Sequence, residues 1–582
     1  MSADAFGPGL LPPAIVQMAQ RIVRRCGERA GEDSESLAAA CALALHQLSQ
    51  GHTRVDMSDS GRVLLAPREF ARGGDRIEVP VPVRIREAVI GAAARGSALV
   101  SRMSPADDMP AISPLVIEGE RLSLARCRDD ERALAQALRR RVAARPDAES
   151  RHALVERLMS ELGEAALDDA QRHAVLCSVS RGLSVVTGGP GTGKTTVAAM
   201  IAAAHALVQE SCGMRASFRL LAPTGKAASR LSDSFAAAAS ALPGPRGAAL
   251  RGCRATTVHA ALHGRDDEGL DHATMVILDE ASMVDLSLMR RLADAVPAGA
   301  TLVALGDRNQ LASVEAGTVL ADMTEPGSAI ADSVTHLQRS HRFGGDSPIG
   351  VLARAVLEGD ADRAIACLAA AAEAPGAGGG GATGAEPASG VRLIDCRSER
   401  EIIRATIGIF RARASDTAIL CAHRHGATGT LEINRLCAEA SGAQLSDPLS
   451  AVHWDGRPVI VTENDRALGL MNGDVGVMRA GADGRLEAVF AGRQGGVPAA
   501  ILPATESAYA LTIHKSQGSE FDHVAIVLPA MPSPILSREL VFTGITRARR
   551  SVTVIGPPDR VREAIGRRVA RASGLSDRLR IG

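Results

Sequence analysis

From about residue 150 onward, short unbroken apolar runs alternate with longer stretches in which apolar residues recur at helical spacing. The runs are LSVVT (Leu183 to Thr187), FRLLA (Phe218 to Ala222), MVILD (Met275 to Asp279) and TLVALG (Thr301 to Gly306). Side chains alternate sides along a strand, so an unbroken apolar run is a strand covered on both faces. That is the pattern of a parallel sheet with crossover helices. A second set follows in TAILC (Thr417 to Cys421), HVAIVL (His523 to Leu528) and SVTVIG (Ser551 to Gly556). The pattern predicts an α/β chain with two tandem parallel-sheet domains, at 151–330 and 331–582.

The first 110 or so residues read differently. They suggest a mostly helical N-terminal domain without a catalytic motif, with an apolar helix over Ala38 to Leu48. A connecting segment, 111–150, follows; Pro110 to Arg126 looks like a short hairpin and Asp129 to Arg141 like a polar helix. Residues 370–390 are rich in Gly, Ala and Pro and cannot bury a core, so they are a flexible linker or a surface loop. Residues 454–503 are strand-rich with Gly turns, which predicts a small β-barrel-like insert in the second domain.

Composition narrows the options. The chain has 582 residues, enough for roughly three to four domains. Aromatics make up only 2%, so the core must be built from Ala, Leu, Val and Ile. Lys plus Arg and Asp plus Glu are both 66, which argues against coating nucleic acid by charge alone but allows a local positive groove. The ten cysteines include no C-x-x-C pair and read as small buried hydrophobes in a reducing compartment. The sequence shows neither a signal peptide nor a run able to span a bilayer, so a cytoplasmic protein without a membrane partner is expected.

The chemistry starts at GGPGTGKTT, which runs Gly188, Gly189, Pro190, Gly191, Thr192, Gly193, Lys194, Thr195, Thr196. It lies between the strand LSVVT and a helix, the context of a P-loop. Its backbone N–H groups can close around phosphates and the helix N-terminus adds its positive end. Lys194 is expected on the β/γ-phosphates of ATP, and Thr195 on Mg²⁺. Asp279, at the end of MVILD, suits the other Mg²⁺ position, and Glu280 beside it can polarise an attacking water. Gln310, in GDRNQ after the next strand, is expected to sense the γ-phosphate or the water.

These segments, with APTGKAA (Ala222 to Ala228), LDEASM, GDRNQLASVEAG, SHRFG (Ser340 to Gly344), IHKSQGSEFD (Ile513 to Asp522) and VFTGITRARR (Val541 to Arg550), occur in the order found in superfamily 1 helicases. Their wording, and that of GRPVIVTENDRALGLMNGDVG, resembles the RecD (alpha) branch of the RecBCD exonuclease V complex over about residues 150–580. The resemblance implies two RecA-like domains with ATP between them and 5′ to 3′ movement on single-stranded DNA. It also implies RecB-like and RecC-like partners at duplex ends, and a role in double-strand break repair and recombination. It places Gln171 at the adenine, Arg342 and Arg547 at the γ-phosphate as arginine fingers in cis, Gly518 near the phosphates and Glu520 on the ribose. Thr224, Lys226, His259 and Lys515 are assigned to DNA by the same resemblance. His514 is either a DNA contact or a satisfied polar residue. Arg339, Arg549 and Arg550 either bind DNA or stay solvated.

One departure is that SHRFG carries His341 where relatives commonly have Tyr, so stacking on bases falls to Phe343 and Trp454, each equally readable as core. A nuclease is a rival reading, but no cluster of acidic residues with a Lys is visible in the sequence. A subunit that binds ATP without turnover is opposed by Glu280, Arg342 and Arg547. A relaxase needs a catalytic Tyr, and the one Tyr, Tyr509, lies among the motor motifs.

Overall fold

The computed structural model describes residues 10–28, 31–65, 77–143, 147–161, 167–240, 250–264, 269–313, 315–340, 347–370, 390–413, 417–442, 454–465, 467–481, 484–490, 493, 495–569 and 571–580. The expected loop 370–390 falls almost wholly outside them. Only Ala370, ending the helix Ala361–Ala370, and Gly390, opening a strand, are described.

The N-terminal region is a mixed α/β unit rather than a helical one. Its helices are Pro13–Arg25, Glu32–Ser49 and Val83–Ala94, and the second contains the expected apolar stretch. Its strands are β1 (Arg54–Asp56), β2 (Arg62–Leu65), β3 (Ile77–Pro80), β4 (Val100–Arg102), β5 (Leu115–Glu118) and β6 (Arg121–Leu124). β2 and β3 pair with each other, and the other four form a sheet in the order β1-β6-β5-β4. Strands of three or four residues are too short to display a period of two, so apart from β5 and β6 the sequence pattern misses them. β5 and β6 are the expected hairpin, turning at Gly119 with φ 60°. Because β1 pairs with β6, the unit runs past residue 110 into the segment taken as a connection. The polar helix Ala125–Val142 follows it directly.

The first large sheet contains β7 (Leu183–Gly188), β8 (Phe218–Ala222), β9 (Ala255–Thr257), β10 (Met275–Leu278), β11 (Thr301–Gly306) and β12 (Val334–Leu337). All pairings are parallel, in the order β12-β7-β11-β10-β8-β9. Neighbouring residues point into different cores. Val185, Leu278 and Ala304 pack on one face, and Val186, Ile277 and Val303 on the other. Burial on both faces is why these strands read as unbroken apolar runs. β12 lies past residue 330 yet belongs to this sheet, because it pairs with β7 beside the P-loop. With few aromatics available, close approach fills the core. The helix Lys194–Ser211 buries Ala198, Ala199, Ala202, Ala203, Ala204 and Ala206.

The second large sheet is made by β13 (Gly390–Ile394) and β14 (Thr417–Cys421), with three later strands. Between them lies the insert: β15 (Pro458–Val461), β16 (Val475–Ala480), β17 (Leu486–Phe490), β18 (Val497–Pro498) and β19 (Thr505–Ser507). Then come β20 (Ala510–Thr512), β21 (Phe521–Val527) and β22 (Ala548–Ile555), completing a parallel sheet in the order β13-β22-β21-β14-β20. The insert is antiparallel with its own core around Val459, Met478 and Phe490. Among the described residues its order β18-β17-β16-β15-β19 has two free ends, an open sheet and not a closed barrel.

The C-terminal residues return to the front of the molecule. Leu575 and Leu579, on the helix Leu575–Arg580, are fully buried in the first sheet's core beside Leu134 and Leu138. Around them Gly574 N–H donates to Glu131 (2.7 Å), Ser573 to Asp322 (2.7 Å), and Ala572 N–H to His52 (2.9 Å). Arg571 donates to the carbonyls of Glu315 and Gly317, and Gly317 N–H donates to Gly51. This clasp binds three units by apolar contact and hydrogen bonds. Leu575→Ala should therefore cost about 2–5 kcal/mol, seen as an earlier first transition in urea; an unchanged midpoint would show that the clasp is dispensable.

Candidate active site

The functional side chains stand at the carboxyl ends of parallel strands, where open α/β sheets bind ligands. β7 leads into the P-loop, β10 into Asp279 and Glu280, and β11 into Asp307 to Gln310. Gly191 (φ 75°) and Gly193 (φ 81°) are left-handed, a conformation natural to glycine that turns successive N–H groups inward. A Cβ at Gly188 would meet Thr192 Oγ1 at 2.7 Å and Leu337 Cβ at 2.9 Å. The Thr192 hydroxyl donates to Gly189 O, and Lys194 Nζ to the carbonyls of Gly188 and Gly189 at 2.7 and 3.0 Å.

A cavity of about 470 Å³ opens on this loop, and its wall is shared between the two large sheets. The first domain contributes Pro190, Gly191, Gly193, Lys194, Thr195, Thr196, Arg230, Asp279, Glu280 and Gln310, and the second contributes Gly518, Glu520 and Arg547. Thr195 and Asp279 thus line the same space, a hydroxyl and a carboxylate suited to a divalent cation. Burial and the neighbouring Glu280 charge push the Asp279 carboxyl up, against the pull of Lys194. Such a pair of carboxylates fits a site completed by a cation.

Glu280 is the one non-glycine residue with positive φ (52°) among the described residues. A left-handed conformation costs an ordinary residue about 1–2 kcal/mol, and strain of this kind clusters at working sites.

Arg547 is 3% exposed and crosses from the second domain. Its guanidinium donates to Gln310 Oε1 (3.0 Å), Ser519 O (3.2 Å) and Thr543 O (3.2 Å). Burial pulls its pKa down, while Glu280 and Asp307 hold it up. Gln310 in turn donates to Asp307 Oδ2 at 3.2 Å. The expected sensor and the expected arginine are therefore in direct contact. Gln517 Nε2 donates to Leu311 O, and Leu311 N–H to Thr543, adding two further bonds across the cleft.

Other expectations fare differently. Gln171 does not line the cavity. It forms a capping box with Asp168 and donates to Thr192 O (3.1 Å), so its amide braces the P-loop. The motif Asp168-x-x-Gln171 was readable as a capping box, a signal the base-reading expectation passed over. Glu520 lines the cavity but accepts from Arg549 of its own domain and from Arg230, which ties it to the first domain. Arg230 itself was missed. It follows APTGKAA on the helix Gly225–Ser240, and only the tertiary fold turns that face to the cavity. Asp307, 1% exposed, was missed as the group that orients Gln310. Arg342 and Phe343 lie outside the described residues.

The residues assigned to DNA do not share one cavity. Thr224 caps the helix Gly225–Ser240 through Ala227 N–H (3.2 Å). Lys226 faces a different space, with Tyr509, Phe521 and Asp522. Burial pulls its ammonium down, opposed by Asp474. His259 is exposed on the helix Val258–Leu262. Burial, aided by Arg571, pulls His514 down and favours its neutral form. Lys515 is exposed and pairs with Glu506 at 2.9 Å.

Asn tolerates the left-handed region far better than Glu. Glu280→Asn should therefore melt at or above the wild-type temperature in a thermal scan, and a lower melting temperature would contradict the strain at this position.

Residues 166–374 match the AAA domain family, and residues 507–555 the UvrD-like helicase C-terminal domain. A solved Pif1 helicase from Bacteroides bound to single-stranded DNA aligns at 17% identity and TM-score 0.37, covering 66% of this chain and 92% of that one. The ATP-dependent RecD2 DNA helicase of Deinococcus radiodurans is 30% identical over 72% of this chain and 52% of its own length. The RecBCD enzyme subunit RecD of Mycobacterium tuberculosis is 36% identical over 98% of this chain and 95% of its own. That of Mycolicibacterium smegmatis is 37% identical over 99% of both. With a third of its residues shared along nearly the full length of these relatives, and with the P-loop cleft closed by an arginine from the second domain, the chain belongs to the RecD family of helicases.

Proposed function

We propose that this chain is the ATP-driven 5′ to 3′ DNA helicase subunit of a RecBCD-type helicase–nuclease, working with RecB-like and RecC-like subunits on duplex ends. The observation that carries the motor reading is the cavity walled by both sheets, with Arg547 of one domain bonded to Gln310 of the other. A nucleotide held there touches both domains at once, so each change in its phosphates is felt across the cleft.

The roles follow from the groups present. P-loop N–H groups and Lys194 bind the β- and γ-phosphates. Thr195 and Asp279 would hold Mg²⁺, which would offset the phosphate charge. Glu280 takes the proton of the attacking water, and Gln310 orients that water. Arg547 stabilises charge on the transferring phosphoryl group. When the γ-phosphate leaves, Arg547 loses that partner and the cleft can open. Alternating grip on the strand in the two domains then gives one-way stepping. Direction and partners rest on RecD family membership. The proposal that cleavage comes from a partner subunit rests on the sequence, in which the acidic groups of the motifs are committed to ATP.

Arg547→Ala should bind a nucleotide analogue within about tenfold of wild type while DNA-stimulated ATP turnover falls by about 10³-fold or more. Turnover near wild type would remove Arg547 from the reaction. Lys194→Gln is the reference for a dead site.

With duplexes carrying a single tail, the purified chain should unwind those with a 5′ tail, spare those with a 3′ tail, and leave end-labelled strands uncut. Preference for 3′ tails would reverse the direction. Cleavage that co-elutes with the chain would assign it a nuclease centre.

A further inference from the structure

Three cations and three carboxylates line the cavity between the two large sheets: Lys194, Arg230 and Arg547 against Asp279, Glu280 and Glu520. All but Arg230 belong to segments that the sequence marks as motor motifs. Arg230 lies just past APTGKAA, on the helix Gly225–Ser240. The face that this helix turns to the cavity is otherwise Ala227, Leu231, Ser234, Ala237 and Ala238. These positions recur at intervals of three and four, so one side of the helix forms the wall. That side is small and uncharged around one long cation, and it contributes no carboxylate to the wall.

The arginine takes its partners from the other domain. Its guanidinium pairs with Glu520 Oε1 and donates to Gly518 O at 3.1 Å. The two ends of the pair differ. The Glu520 side chain is 9% exposed, and its other oxygen accepts from Arg549 Nε and Nη2, both at 3.2 Å. The Arg230 side chain is 39% exposed. Glu520 is therefore held in place, whereas Arg230 has room to turn within the cavity. An ion pair with one partner this exposed holds weakly. When Arg230 turns away, Arg549 still answers the Glu520 charge, so no enclosed carboxylate is stranded. Burial, with Arg547 and Arg549, pulls the Arg230 pKa down, and Glu280 and Asp279 hold it up. Its charge thus also acts on the carboxylates that mark the γ-phosphate end of the cavity.

We propose that Arg230 is an exchangeable latch: the γ-phosphate of ATP draws its guanidinium from Glu520, so that a bond across the cleft is traded for a bond to the nucleotide. The proposal rests on the reading of the chain as an ATP-driven motor. A guanidinium offers a fork of N–H donors that matches a pair of phosphate oxygens, and such charge-assisted bonds are strong. ADP has no γ-phosphate and leaves the latch on Glu520. The first domain then supplies its own arginine to tell the two nucleotides apart, beside Arg547 from the second.

Binding of ATPγS and of ADP, each with Mg²⁺, is measured by calorimetry on the purified full-length chain without DNA. Adenine, ribose and the two inner phosphates are common to both ligands, so the ratio of affinities isolates the γ-phosphate. Arg230→Gln should cut the preference for ATPγS over ADP by about tenfold, while its ADP binding shows that the variant is folded. Glu520→Gln frees the same guanidinium and should raise that preference. Arg230→Lys keeps the charge without the fork and should fall between wild type and Arg230→Gln. If Arg230→Gln loses both ligands, Arg230→Lys and Glu520→Gln carry the same test. A pair that merely braces the domains would leave the ratio unchanged or shift it the same way in the Arg230 and Glu520 variants. Either result would overturn the latch and leave the motor reading intact. A wild-type protein that binds neither nucleotide would overturn both.

Discussion

A guanidinium buried between two domains must find acceptors from both, and Arg547 does so. It is almost fully enclosed, so its charge depends on Gln310, two backbone carbonyls and the nearby carboxylates of Glu280 and Asp307. Separating the domains strips away part of that set. A buried cation left with fewer partners is costly, so the relative position of the two sheets is tied to the contents of the cleft. Asp307 holds Gln310, Gln310 meets Arg547, and Arg547 holds the Ser519 carbonyl beside Gly518. This chain of bonds runs from the end of β11 to the segment that also carries Lys515.

The interior around this contact is built from small residues. Alanines on the helix after the P-loop let it lie close on the sheet, and the loop before it is equally tight. A side chain at Gly188 would collide with Leu337 of β12. That neighbour comes from the segment leading to the second domain. Ser340, a little further along, donates to the P-loop carbonyl of Pro190. The connection between the domains is thus in contact with the phosphate loop itself.

The clasp plays a comparable part behind the cleft. Arg571 fixes the carbonyls of Glu315 and Gly317 in the segment that follows Gln310, and its charge also reaches His514. The N-terminal unit joins through Gly51, whose carbonyl accepts from Gly317 N–H. The segment after Gln310 is therefore braced by the N-terminal unit, the C-terminal residues and the second domain together.

The sequence by itself determined seven strands of the two large sheets, the P-loop and the carboxylates Asp279 and Glu280 after β10, but not β9, β12, β13 or β20. Their signals are local: an unbroken apolar run for a strand buried on two faces, a fixed glycine spacing for a phosphate loop. Apart from the β5–β6 hairpin it left the N-terminal sheet hidden, since the strands are three or four residues long and β1 meets β6 across more than sixty positions. The role at the adenine came to Gln171 from the family resemblance alone, and only the folded chain shows its side chain in a helix cap and against the P-loop. Arg230 and Asp307 were decided only by tertiary structure. An arginine on a helix has no local mark of what will face it. That is set by how the two sheets and the insert pack, and so by contacts between residues distant along the chain.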